Sequence, residues 1–282
     1  MPHELDRPLA VVPAALAQGH GDRPFVAIVR SRDELCRWLG GPSANLQWLQ
    51  IEGFLNDPDA WVPATNGSSR VPIDVVLADP VSEFSNLYRL VEVGAVRDVR
   101  ISVRAVPGFL KAVRLATSLG FPVRILPGQP TGEVLTELKE AWEFYLHEPM
   151  VEVPVEFFHS LLGSACGAET GSLWLILEQD PAMFLHYDDD GNPQLPRSFE
   201  AASEGTSVVA FVESHFENLV EQRAECVACP WRHVCRGYFK WPDPTYSCEG
   251  VKQLFSVIDA AAAEIGRDLA AREIQPHLGP SP

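Results

Sequence analysis

Short apolar runs alternate with helical stretches between residues 24 and 146, and this alternation constrains the fold more than any other feature of the chain. A short apolar strand followed by a helix is the pattern of βα units on a parallel sheet. Five such strands are too few to close an eight-stranded barrel. The sequence therefore predicts an α/β fold that begins with an open or partial (β/α) barrel. The expected strands are 24–29, 46–51, 73–77, 98–103 and 121–126, and the expected helices are 31–39, 82–93, 107–119 and 131–146.

The segments on either side of this region follow other patterns. Residues 1–23 are rich in Pro and Ala and have no clear period, which indicates a loose N-terminal lead-in. A domain boundary is expected near residue 150, so that 24–150 form a barrel-like domain and 151–282 a small α+β domain. The expected elements of the second domain are strand-like apolar runs at 173–177, 183–187 and 207–212, a hairpin turn at 188–192, and a long helix with one apolar stripe over 250–271.

Acidic residues outnumber basic ones, with 38 Asp and Glu against 22 Lys and Arg and a formal net charge of −16. A nucleic-acid-binding protein needs a basic surface, so nucleic acid is excluded as the principal partner. No apolar run approaches the ~18 residues of a membrane span, and the N-terminus lacks the cationic start of a signal peptide. We therefore expect a cytoplasmic protein with no membrane partner. Its charge favours a basic peptide or a complementary protein surface.

Four cysteines that fall within 23 residues carry the clearest chemical signal: Cys226, Cys229, Cys235 and Cys248. Thiols stay reduced in the cytoplasm, so this group indicates a metal site rather than disulfides. A Cys-x2-Cys pair brings two thiolates to one centre, and the third and fourth cysteines complete a set of four soft ligands. Four thiolates suit tetrahedral zinc or an iron–sulfur cluster, and the spacing alone leaves both open.

The run Cys-x2-Cys-Pro-x4-Cys-x-Gly from Cys226 to Gly237, followed by Cys248, resembles the cluster-binding segment of SPASM domains. These auxiliary iron–sulfur domains are appended to radical S-adenosylmethionine (radical SAM) enzymes that modify peptides and proteins. The resemblance implies that Cys226, Cys229, Cys235 and Cys248 hold one auxiliary [4Fe–4S] cluster. The hairpin around residues 188–192 resembles the SPASM hairpin, and the βα units before it are similar to the partial barrel of radical SAM proteins.

The chain departs from that family where its catalytic cluster would be held. Radical SAM enzymes use Cys-x3-Cys-x2-Cys after the first barrel strand, whereas this loop contains only Cys36, and the next cysteine is Cys166. The residues that would hold a second auxiliary cluster are replaced by Phe239 and Pro196. We therefore expect no S-adenosylmethionine, no catalytic residue and one cluster at most.

Together these observations predict a non-catalytic accessory protein of a radical SAM peptide- or protein-modification system, like the accessory SPASM proteins of GeoRSP-type systems. Its expected partners are a radical SAM enzyme, a precursor peptide, or both. The alternative hypothesis is a protein-interaction module that one Zn²⁺ staples and that has no redox role.

Overall fold

The computed structural model describes residues 7–20, 22–41, 44–66, 70–197 and 207–273. Their strands form one open sheet in the order β7-β6-β5-β4-β3-β2-β1-β8-β9. Every neighbouring pair is parallel except β8 and β9, which form an antiparallel hairpin. The predicted α/β class is thus confirmed, and the sheet does not close. The strands are β1 (Leu9–Pro13), β2 (Phe25–Val29), β3 (Leu46–Glu52), β4 (Ile73–Leu77), β5 (Val99–Arg104), β6 (Val123–Leu126), β7 (Val155–Glu156), β8 (Phe184–Tyr187) and β9 (Pro193–Gln194).

The five predicted strands are found as β2 to β6, but the predicted loose lead-in contains a further strand, β1. It lies between β2 and β8, and Ala10, Val11 and Val12 are buried there. A strand that is covered on both faces is continuously apolar, so it lacks the alternation that marks a half-buried strand. Pro13 does not disturb the sheet because it is the last residue of the strand.

Helices follow most of the strands and cover one face of the sheet. Ser31 and Thr131 cap two of them, and each side chain accepts a hydrogen bond from a backbone N–H three residues ahead. The helix predicted at 82–93 is instead broken by a 3₁₀ stretch over Phe84–Leu90. The helices are α1 (Arg32–Gly40), α2 (Val62–Asn66), α3 (Pro80–Glu83), α4 (Val91–Gly94), α5 (Leu110–Ser118), α6 (Gly132–His147), α7 (Phe158–Ala165), α8 (Leu173–Ile176), α9 (Phe211–Glu221), α10 (Arg232–Cys235) and α11 (Glu249–Glu273).

The region after residue 150 confirms the predicted hairpin and the long C-terminal helix, but two strand predictions there were wrong. The run 173–177 contains α8, which Ser172 caps by accepting from the N–H of Leu175. The run 207–212 lies outside any strand and leads into α9. Short apolar runs have no period that separates a strand from a buried helical turn, so these two positions were ambiguous.

The predicted boundary near residue 150 does not interrupt the sheet or the core. Strands β7, β8 and β9 join the strands of the first half, and α11 packs on α6 and α7. The main apolar core likewise includes residues of both halves, for example Trp142 and Leu254. The division into 24–150 and 151–282 stays a prediction. In the described residues, no helix is long and apolar enough to cross a membrane.

The two faces of the sheet differ in chemistry. Alternate residues of β3 to β6, such as Ile51, Ile101 and Ile125, belong to the apolar core under the helices. The residues between them point to the other face, where Asp74 and Arg124 are buried. This second face is therefore polar, and Glu178, which follows α8, lies over it and pairs with Arg100 and Arg124.

Candidate functional site

The cysteine segment begins with a short 3₁₀ helix over Glu225–Ala228, which buries Cys226. The N–H of Cys229 donates to the carbonyl oxygen of Cys226 at 3.2 Å. This tight turn directs both residues of the Cys-x2-Cys pair toward one side of the segment, as their two-residue spacer predicts.

Cys235 is the last residue of α10, and its N–H donates to the carbonyl oxygen of Trp231 at 2.8 Å. The helix ends because Arg236 and Gly237 both adopt left-handed backbone conformations, with φ of 47° and 76°. A Cβ on Gly237 would lie 2.6 Å from Cδ1 of Leu219, and the residue that carries it would have to adopt a positive φ, so glycine is favoured at this position. The glycine of the motif therefore has a structural reason to follow the third cysteine.

Cys248 comes from a separate loop, immediately before α11, and a partly buried ion network ties it to Glu225, the residue before the first cysteine. Glu225 accepts from the N–H of Cys248 at 3.0 Å. The same carboxylate pairs with Lys240 at 2.7 Å and with Lys252 on the first turn of α11. One carboxylate thus joins the start of the segment, its centre and the helix that follows it.

All four predicted ligands line one narrow cavity of about 20 Å³, although they come from three local structures. The six cysteines of the chain are all described, and all carry free thiols. As the side chains stand, no group of three or more His, Cys, Asp or Glu in the described ranges has the arrangement of a metal site. The remaining lining residues are mainly apolar or cationic and include Trp231, Phe239, Lys240, Val251, Lys252 and Phe255.

Burial makes the thiols of Cys226, Cys235 and Cys248 less acidic. It raises the pKa of Cys235 and of Cys248 to about 12 each, and it also raises the pKa of Cys226. The charge of Glu225 adds to the effect at Cys248. Thiols of this kind stay protonated at neutral pH and are poor nucleophiles until a metal ion displaces the protons.

The other two cysteines lie elsewhere. Cys36 is half-buried on α1, and Cys166 is exposed at the end of α7. Neither lines the cavity of the four cysteines. Phe239, which stands where a second cluster would need a cysteine, is buried and packs edge-on against Phe255 with the ring centroids 6.1 Å apart.

The four cysteines around the cavity fit a thiolate-bound group, whereas the volume of the cavity is too small for a cluster. Four cysteines line the same space, and Lys240 and Lys252 offer positive charge to the negative complex that four thiolates would form. The space is little larger than the volume that one water requires, so a cluster needs the cavity to widen.

A second polar site, which was not predicted from the sequence, is a charge network on the polar face of the sheet, where Asp74 and Arg124 are buried. Asp74 on β4 accepts from Arg124 at 2.6 Å, from Arg100 at 2.8 Å and from Ser102 at 2.7 Å. Glu178, which follows α8, pairs with both arginines, at 2.6 Å from Arg100. The two guanidinium groups hold the pKa of Asp74 below its usual range against the opposing effect of burial.

The signal for this network was the alternation in β5, where Arg100, Ser102 and Arg104 alternate with Val and Ile. Three polar residues at a period of two share one face of a strand. The sequence predicts β4 to β6 only as apolar strands, and Glu178 is distant from them in the sequence.

Comparison of the chain with protein-family models, with curated proteins and with solved structures gives no significant match.

Proposed function

We propose that this chain is a non-catalytic iron–sulfur accessory protein that holds one [4Fe–4S] cluster on Cys226, Cys229, Cys235 and Cys248. The observation that carries the proposal is that these four thiols, whose spacing resembles that of SPASM domains, line one cavity. They come from a 3₁₀ turn, the end of α10 and the loop before α11, and the carboxylate of Glu225 joins the first of these places to the third.

The residues around the cavity have different roles in this proposal: ligation, exclusion of water and charge compensation. The four cysteines ligate the group, and Trp231, Phe239 and Phe255 keep water away from it. Lys240 and Lys252 partly balance the negative charge of the thiolates. When bound, a four-thiolate cluster supplies one-electron transfer or structural bracing. Four protein ligands leave no open iron position, and the Cys-x3-Cys-x2-Cys motif of radical SAM catalysis is absent from the sequence.

The partner in this proposal is a radical SAM enzyme, its precursor peptide, or both. The net charge of −16 favours a partner with a basic surface or a basic peptide. The proposed compartment is the reducing cytoplasm, because it keeps thiols available as ligands.

A zinc-stapled interaction module is the second candidate, and the size of the cavity favours it. A single ion bound by four thiolates at about 2.3 Å requires less space than a cluster. The narrow cavity of about 20 Å³ is closer to that requirement. In this case the metal would join α10 to α11 without redox chemistry.

Metal analysis of the full chain, purified without oxygen, separates the two candidates. The cluster predicts about four irons and four sulfides per chain and a broad absorption near ~400 nm, whereas zinc predicts one ion, no sulfide and no colour. The matched variants are Cys229→Ser, which removes a proposed ligand, and Cys166→Ser, which removes an exposed thiol outside the cavity. We expect the first variant to lose its metal and the second to keep it. Full metal retention in Cys229→Ser would contradict the ligand assignment.

A further inference from the structure

Two spaces adjoin each other at Trp231. The first is the narrow cavity of about 20 Å³ that the four cysteines line, and the second is a groove of about 330 Å³ between α7, the cysteine segment and α11. Trp231 and Phe255 line both of them. The rest of the groove is lined mainly by small or apolar residues, among them Leu161, Ala165, Val234 and Ala263. The groove therefore has room for a large side chain that turns away from the cysteines.

Two residues of α11 contact the ring of Trp231. Its Nε1 atom donates to Oδ2 of Asp259 at 2.7 Å, and the ring packs edge-on against Phe255 with the centroids 5.8 Å apart. Asp259 is exposed and Trp231 is only partly buried, whereas Phe255 is buried. Water competes for both groups of an exposed hydrogen bond, so the net contribution of this bond to the position of the ring is modest. Of the two rings between the spaces, that of Trp231 is therefore the one that can move.

The backbone of Trp231 is fixed while its side chain can rotate. Its carbonyl oxygen accepts from the N–H of Cys235 at 2.8 Å, and rotation about the side-chain bonds does not break this contact. The carboxylate of Glu225 lies beside the cysteine cavity but not beside the groove. A movement of the ring toward the groove thus leaves both the end of α10 and the ion network in place.

The thiols next to this ring need such an opening. Cys226 and Cys248 are buried, and the cavity is little larger than the volume that one water requires. A hydrated metal ion or a cluster is larger than that space. Movement of Trp231 into the groove joins the two spaces and supplies the missing volume.

We propose that Trp231 is the gate of the cysteine site and that Asp259 is its latch. When the hydrogen bond between them opens, the indole turns into the groove and the buried thiols become accessible. The metal ion or cluster enters by this route, and in that respect the inference rests on the proposed function. The movement of the ring does not depend on which group the cysteines bind.

Labelling of the thiols measures this opening. The full chain, freed of metal by a chelator, is treated with iodoacetamide under native conditions, and peptide mass spectrometry gives the rate at each cysteine. Asp259→Ala should raise the rates at Cys226 and Cys248 by about three- to tenfold, the factor that corresponds to the loss of one ordinary hydrogen bond. Asp268→Ala, at an exposed position of α11 outside the groove, is the control and should leave both rates unchanged.

The two other cysteines are internal references in the same samples. Cys166 is exposed, so its rate reports the activity of the reagent. Cys36 is half-buried on α1 and outside the cavity, so its rate reports general loosening of the fold. Both rates should be the same in all variants. An equal increase at Cys36 would mean that Asp259→Ala destabilises the whole chain, and it would contradict a local gate.

A double-variant comparison tests whether the bond between the two side chains is the latch. Trp231→Phe keeps an aromatic ring but lacks the N–H donor, so it should accelerate labelling as Asp259→Ala does. The combination of both changes should give no further increase, because each removes the same bond. Two increases that multiply in the double variant would contradict the latch.

Filling the groove tests the direction of the movement. Ala263→Leu places a larger side chain where the indole is proposed to turn, so it should slow labelling of Cys226 and Cys248 by at least roughly threefold. Ala270→Leu, at an exposed position of α11 outside the groove, should not change the rates. Unchanged rates in both Asp259→Ala and Ala263→Leu would overturn the proposal.

Metal uptake is measured separately, with Zn²⁺ alone as the probe. Asp259→Ala should take up Zn²⁺ faster than the wild type by the same factor as its labelling. Faster labelling with an unchanged rate of Zn²⁺ uptake would show that the ring does not control metal entry. Labelling needs no metal, so it tests the gate even if metal analysis contradicts the four cysteines as ligands.

Discussion

The carboxylate of Glu225 accepts a hydrogen bond from the backbone N–H of Cys248 at 3.0 Å. The residue beside the first cysteine therefore positions the fourth, which lies 23 positions further along the chain. Lys240 and Lys252 form ion pairs with the same carboxylate. This network holds the first and the fourth cysteine of the segment close together through contacts of the protein alone.

Replacement of Glu225 by Gln should loosen the site. The variant leaves Lys240 without its ion-pair partner in a buried position, and it weakens the bond to Cys248. We expect the free energy of unfolding in urea to fall by about 1–3 kcal/mol, and a chelator to remove the metal faster. Glu221→Gln, at an exposed position of α9, is the control and should leave both quantities unchanged. Equal chelation rates in the two variants would contradict the role of Glu225.

Gly237→Ala should displace the turn that follows Cys235. The new methyl group would meet Leu219 and His215, in addition to the cost of a positive φ. Gly120→Ala is a matched control because its φ of 80° is nearly the same and its Cβ would meet open space. The control should lose about 1–2 kcal/mol from backbone strain, and Gly237→Ala should lose a further 1–3 kcal/mol, about the cost of overpacking. Thermal unfolding curves measure the difference in stability between the two variants. Equal losses of stability would contradict the predicted clash of the new methyl group with Leu219 and His215.

Asp74→Asn tests the charge network on the polar face of the sheet. Asp74 is buried between Arg100 and Arg124, and loss of its charge leaves both arginines undercompensated. We expect a loss of about 3–5 kcal/mol in the free energy of unfolding. The same substitution at Asp189, whose ion pair with Arg30 is exposed, should cost less than about 1 kcal/mol. Urea denaturation of both variants checks the contrast, and similar losses would contradict it.

His186 should make the stability fall as the pH decreases below neutrality. Burial lowers the pKa of His186 from its usual 6.5, so the folded protein resists protonation while the unfolded chain accepts a proton. This contribution is complete above pH 6.5 and is lost as the pH falls, by up to about 1.4 kcal/mol per pH unit. His186→Gln should flatten the pH dependence between about pH 7 and 5. Parallel curves for the wild type and His186→Gln would disprove the assignment.

Much of the α/β framework could be read from the sequence because its signals are local. Ser31 and Thr131 mark helix starts through bonds to residues three positions ahead, and β2 to β6 are bounded by turns and helices. The convergence of Cys226 and Cys229 also follows from a two-residue spacer. Each of these inferences depends on atoms that are close in the chain.

Only the tertiary structure decided how distant segments meet. It paired β1 with β8 across more than 170 positions and so made the apolar N-terminal run part of the sheet. It also placed Glu178 on Arg100 and Arg124, and Arg197 beside Tyr238, because the segment after α8 lies over the polar face. Periodicity shows which face of a strand a residue occupies. Which distant residue it contacts there depends on packing and on the compensation of buried charge. For that reason the cysteine cluster was visible in the sequence, whereas the charge network of Asp74, Arg100, Arg124 and Glu178 became visible only in the folded chain.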